Sequence, residues 1–197
     1  MNIFTRLFSR LAGLLLGLAL IGTAQAQKMR DAKYEHGLLE KGQKVGVWEY
    51  YGYTPSGERV VVQRYDHDQR RLLYFRPGAE ITVRAEVKPG EWRYVRVDQP
   101  PLFVGSEAAL AAFTTRLNYP PLAVARNIQG KVVVSFLLDT LGQATGYKVV
   151  RGIGGGCDEE ALRVARTVPA DQWLPARIGR RAVAVEYELP LNFRLAQ

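Results

Sequence analysis

Apolar and polar residues alternate along the first half of the chain. After residue 98 they give way to helical spacing and longer apolar runs. Residues 45–51, 59–65, 72–75, 81–87 and 92–97 carry β-branched and aromatic side chains at a period near two, which predicts five short strands. Turn residues separate them: Pro55-Ser56-Gly57, Asp66-His67-Asp68, Pro77-Gly78 and Pro89-Gly90. This spacing predicts a small antiparallel β meander domain over residues 27–98. Pro100-Pro101 breaks the last strand, because proline brings no N–H to a ladder.

Beyond that break, Leu110, Phe113 and Leu117 share one helical face. Ser106 is expected to cap this helix, with Glu107 in its first turn. Tyr119-Pro120-Pro121 leads into a short alanine-bearing stretch, 122–126. Gly130 then releases residues 131–138, a nearly continuous apolar run that predicts a strand covered on both faces. Residues 139–142 read as a hairpin turn, with Gly142 supplying a positive φ. A second strand ends at Lys148-Val149-Val150-Arg151. Residues 158–166 predict a helix with acids at its start and Arg163 and Arg166 at its end, matching the helix dipole. Its expected buried stripe is Ala161, Leu162, Ala165 and Val168, and Pro169 stops it. Trp173 is expected to pack over the sheet. In the final strand, 182–189, Val183, Val185, Tyr187 and Leu189 share one face, while Ala184, Glu186 and Glu188 take the other. One charged face marks a half-buried strand. The order helix, helix, strand, strand, helix, strand predicts an α+β domain over residues 99–197, with helices on one side of an antiparallel sheet.

Charge and cysteine content refine this picture. The 197 residues carry 27 basic and 19 acidic side chains, a net charge of +8. Residues 1–26 read as a cleavable signal peptide: Arg6 and Arg10, then an apolar core, then Ala24-Gln25-Ala26. That core is shorter than the ~20 apolar residues of a spanning helix; an uncleaved inner-membrane anchor facing the periplasm is the alternative. Cleavage before Gln27 removes two arginines and no acid, leaving a net charge of +6. Basic residues are dispersed among acids, with short clusters at Arg70-Arg71 and Arg180-Arg181, so a solvated surface is expected and no nucleic-acid partner. Cys157 is the single cysteine and allows no intrachain disulfide, so stability must come from apolar burial.

In order and spacing, the elements from Tyr119 to Phe193 resemble the TonB C-terminal domain family. Residues 101–108 are similar to the lead-in that often precedes the family's Tyr-Pro motif. Residues 42–51, followed by Gly57 and Tyr65, resemble the short glycine-aromatic hairpin repeats called MORN-like. The TonB resemblance implies a periplasmic protein-interaction module, not an enzyme. TonB proteins pass inner-membrane energy to outer-membrane transporters by gripping a short transporter segment. The implied partners are envelope proteins, TonB-dependent outer-membrane transporters among them, and the implied process is transmembrane transport. The family's way of adding the transporter peptide as a strand makes Val183, Val185, Glu186, Tyr187, Glu188 and Leu189 the candidate partner-strand residues. The final strand has no following partner in the chain, and Glu186 and Glu188 discourage self-association, so it is expected at or near a sheet edge. The same edge could pair two copies into a homodimer. The chain departs from a full TonB in lacking a proline-rich spacer. The alternative reading is a structural or scaffolding envelope protein that binds cell-wall or membrane surfaces without transducing energy.

No residue set points to catalysis, a cofactor or a metal. Residues 152–156 are glycine-rich but lack the lysine and hydroxyl of a phosphate-binding loop, and acids follow at Asp158, Glu159 and Glu160. Cys157 has no histidine nearby in sequence to act as a base. His36 and His67 with one cysteine do not make a zinc site. Asp66-His67-Asp68 reads as a polar turn, and Trp48, Trp92 and Trp173 as core.

Overall fold

A computed structural model describes residues 27–78 and 81–195. The signal peptide expected over residues 1–26 lies outside the described residues. The first five strands are β1 (Gln27–Asp31), β2 (Glu35–Glu40), β3 (Gln43–Tyr53), β4 (Arg59–Asp66) and β5 (Arg71–Phe75). They form one antiparallel sheet in chain order. Its core is aromatic and small: Trp48, Tyr50 and Tyr65. Trp48 donates its indole N–H to the carbonyls of Leu38 and Val45, both at 3.1 Å. Its ring lies against Gly37, where any side chain would collide with ring carbons. A glycine is therefore required in β2 for this tryptophan to close on the sheet.

The remaining elements are β6 (Ile81–Lys88), β7 (Glu91–Val97), β8 (Leu102–Phe103), α1 (Ser106–Thr114), α2 (Pro121–Ala125), β9 (Gly130–Leu138), β10 (Ala144–Arg151), α3 (Cys157–Ala165), β11 (Trp173–Leu174), β12 (Ala176–Ile178), β13 (Arg181–Val183) and β14 (Val185–Phe193). The second large sheet has the order β10-β9-β14-β6-β7. Strands 81–97, expected in the first meander, therefore belong to this sheet. Their periodicity identified strands but not partners. Val83, Ala85, Val95 and Val97 supply the reason, because they join the core beneath the helices. The α+β arrangement expected for the C-terminal part is observed.

Helix α3 lies over the sheet with Cys157, Ala161, Val164 and Ala165 buried, and Val168 follows on the same side. The stripe includes Val164 in place of Leu162, which is half-buried, because positions 157, 161, 164, 165 and 168 share one face at the helical period. The Asp158 carboxylate turns back and accepts the N–H groups of Ile153 at 2.8 Å and Gly154 at 3.3 Å, which ties down the glycine-rich loop. At α1 the cap is Gly105, at φ 101°, and not Ser106. Trp173 is 3 % exposed and stands between the rings of Phe103, Phe136 and Tyr187, with centroids at 5.2, 5.5 and 4.8 Å. Gly142, at φ 82°, lets the β9–β10 turn pass against the Trp173 carbonyl, where a side chain would clash.

One buried amide joins the first sheet to the β8–α1 segment, which packs on the core of the second. Gln63 on β4 donates to the Phe103 carbonyl at 3.2 Å and accepts the Gly105 N–H at 2.8 Å. Around it Val104 and Leu174 pack against the aromatic cluster of the first sheet.

Candidate functional site

The final strand does not form the sheet's edge. β14 pairs with β9 along its whole length, from Val185 opposite Leu138 to Phe193 opposite Gly130, without a bulge. On its other side β6 reaches it only at Val185 and Glu186, opposite Ala85 and Arg84. The Ala184 carbonyl accepts the Glu86 N–H at 2.9 Å. Antiparallel ladders alternate the side to which successive residues turn their backbone groups. Even-numbered residues of β14 thus face β6 and odd-numbered residues face β9. Pro190 fits this parity: its missing N–H falls on the side that β9 does not need. Beyond Glu186 the backbone groups of Glu188, Pro190 and Asn192 point to a side on which no strand among the described residues pairs. All three side chains are exposed. The open edge covers residues 187–193.

The strand's start is locked by charge. Glu186 accepts a hydrogen bond from the Ser135 hydroxyl at 2.6 Å and from Arg84 at 2.6 Å, and pairs with Lys148 at 3.0 Å. Those three partners come from β9, β6 and β10. The Ser135 hydroxyl, then Arg84 and Lys148, hold the Glu186 carboxyl down at about 2. The cluster lines a depression of about 250 Å³ on the sheet face opposite the helices, with Trp92 and Gly146 at its sides. Glu186 is therefore an internal clamp across four strands of the sheet, because its side chain is only 12 % exposed.

The other expected site residues divide similarly. Val183 lies on β13, paired with β12, and is buried; the chain breaks ladder at Ala184 before β14 begins. Val185 and Leu189 are buried under the helices. Tyr187 packs on Phe136 and Trp173, and burial pushes its phenol up to about 12. Glu188 alone is both exposed and on the open edge. The sequence reading missed Ser135, Arg84 and Lys148 as partners of Glu186, and Pro190 and Asn192 as edge residues. One signal was present: Ser135 is the lone hydroxyl within the apolar run of β9. Among the described residues no cluster of His, Cys, Asp and Glu could hold a metal ion. Burial, then the Asp158 and Glu159 charges, push the Cys157 thiol up, which disfavours the thiolate.

Residues 115–195 match the family model for the C-terminal domain of the Gram-negative bacterial TonB protein. The match takes in every element from α2 to β14 and leaves out the first sheet, the β6–β7 hairpin, β8 and α1. Among solved structures, the chain aligns with the NMR solution structure of the Helicobacter pylori TonB C-terminal domain. Identity is 24%, coverage is 46% of this chain and 92% of that one, and the TM-score is 0.34. A search of curated proteins found no match. Nothing in these matches supports MORN-like repeats in residues 42–65.

Proposed function

We propose that the C-terminal part is a periplasmic TonB-like interaction module that takes an extended peptide of an envelope partner along residues 187–193. The observation that carries this reading is the half-occupied side of β14, within the segment that matches the TonB family. On that side the open edge offers N–H groups at Glu188 and Asn192 and carbonyls at Glu188, Pro190 and Asn192. A partner strand gains affinity from such backbone bonds and selectivity from neighbouring side chains. Pro190 and the Glu188 charge weaken pairing with another copy of the same edge. The partners to test first are TonB-dependent outer-membrane transporters, with coupling to transport as the proposed role. Among the described residues no helix is long and apolar enough to cross a membrane.

The parity of β14 gives a selective test. Glu188→Pro removes an N–H from the open side and leaves the β9 ladder its donors, whereas Leu189→Pro breaks that ladder. The full chain immobilised against an outer-membrane protein fraction should capture a partner that Glu188→Pro loses. Val149→Pro, on the edge strand β10 and with its N–H turned away from β9, should retain it. Circular dichroism checks that both variants fold. Equal capture by wild type and Glu188→Pro would overturn the edge as the docking site. Capture that fades in moderate salt would favour a scaffold held by surface charge. Light scattering reads the remaining outcome, a dimer paired through this edge.

A further inference from the structure

We infer that the cleft between the two sheets binds an organic anion, an acidic head carried on an apolar body. The cleft has a volume of about 460 Å³, within the roughly 300–1,000 Å³ of small-ligand sites. One wall is the β4–β5 turn with Arg70 and Arg71, and the other carries Arg177 on β12. Asp171 is the sole acid lining it. Arg70 hydrogen-bonds the Tyr65 phenol, and none of the three arginines forms an ion pair with a carboxylate among the described residues. Arg177 spends one N–H on the Arg180 carbonyl at 2.8 Å, which leaves most of its fork unused. Arg70 holds a left-handed backbone, φ 48°, that glycine or asparagine would adopt with less strain.

Beside the arginines the lining mixes the aliphatic side chains of Leu72, Val104, Leu174 and Pro175 with the amides of Gln99 and Gln143. Leu141, 77 % exposed at the tip of the β9–β10 turn, also lines the cleft. Guanidinium forks match carboxylate and phosphate oxygens in bidentate pairs, and the aliphatic lining suits the body behind such a head. This site is remote in kind from strand pairing and does not depend on the β14 edge.

Octanoate and octyl phosphate, each below its micelle concentration, are the probes, with neutral octyl glucoside as control. Calorimetric titration of the full chain in 150 mM salt, on the order of physiological strength, should show saturable one-to-one binding of at least one anion. Octyl phosphate alone indicates a phosphate head, and octanoate alone a carboxylate. The double variant Arg71→Gln/Arg177→Gln should weaken binding at least about tenfold, the scale of losing charged hydrogen bonds. Arg126→Gln, outside the cleft, should leave it unchanged, and Asp171→Asn should tighten it. If the double variant fails to fold, Arg71→Gln alone, at an exposed position, carries the same expectation with a smaller loss. The inference is overturned if neither anion binds, if octyl glucoside binds equally, or if folded arginine variants bind as wild type.

Discussion

The two large sheets of this protein are both five-stranded and antiparallel, yet they are held in different ways. The first is laid down in chain order, each strand pairing with its neighbour in sequence. Its core is three aromatic residues and the side chains that lean on them. The second inserts β14, the last strand, between β9 and β6, and buries valines, leucines and phenylalanines under three helices. Local hairpins close cheaply in entropy, whereas the second sheet must close long loops and needs a large core to repay them. The first sheet lacks that core and borrows cover from Val104 and Leu174. The comparison teaches that the β6–β7 hairpin, though adjacent to the first sheet in sequence, shares the energetics of the second.

The largest effects should come from the two central tryptophans. Trp173→Ala and Trp48→Ala each remove a buried indole, and each should cost about 3–5 kcal/mol locally. Their consequences should differ in extent. Trp173→Ala should lower the unfolding midpoint of the whole chain, while Trp48→Ala should release β1–β5 and leave β9 and β14 protected in amide exchange. If Trp48→Ala unfolds both sheets together, the two regions are one cooperative unit and the distinction fails.

The next effect concerns where the second unit begins. A chain starting at residue 81 should unfold cooperatively. One starting at residue 99 loses Ala85 and Val97 from the core and uncovers Val185, which should cost about 3 kcal/mol by the burial of two such side chains. Equal midpoints for the two truncated chains, measured in urea, would show that β6–β7 is an accessory to the sheet.

Much of this was legible in the sequence and some was not. The period-two segments 45–51, 59–65 and 92–97 became strands because half-buried sheets impose that period. Trp173 and the α3 stripe were legible for the same kind of reason, except that Val164 is buried where Leu162 was expected. Partnership was illegible: nothing in residues 81–88 announces that Ala85 will sit opposite Val185. Strands β1 and β2 were missed because residues 27–40 carry few β-branched side chains. Strands β8, β11, β12 and β13 are too short to display a period. For the candidate site, the charges of Glu186 and Glu188 look alike in sequence. Only the register reveals that one is clamped by Ser135, Arg84 and Lys148 while the other is free of those contacts.

A smaller change should test the joint between the sheets. Gln63→Ala leaves the Phe103 carbonyl and the Gly105 N–H without their buried partner, at a cost of about 2 kcal/mol. The loss should appear as weaker exchange protection in β4 and β5 with β14 unchanged. Protection lost equally in β14 would mean that the first sheet supports the second.

Acid should separate the regions most finely. His67 lies against Tyr65 and bonds the Tyr50 hydroxyl at 2.7 Å, among Lys44, Glu35, Asp66 and Asp68. Burial first, then the Lys44 charge, lowers its pKa below 6.5, against the pull of the three acids. A histidine with a lowered folded pKa binds its proton more readily unfolded. Its contribution is complete above about 6.5 and is lost as pH falls through the folded value. Glu186 is lowered to about 2 from 4.5, so its contribution is complete above 4.5 and is lost only toward 2. Solvent screening at the half-exposed Arg84 and Lys148 holds that contribution to on the order of 1 kcal/mol. Amide protection, corrected for intrinsic exchange, should therefore decline in β3 and β4 at a mildly acidic pH that leaves β9 and β14 intact. His67→Gln should flatten the first decline and Glu186→Gln the second. Simultaneous decline in both sheets, or loss in β14 before β4, would show that proton binding at His67 does not set the acid response of the first sheet.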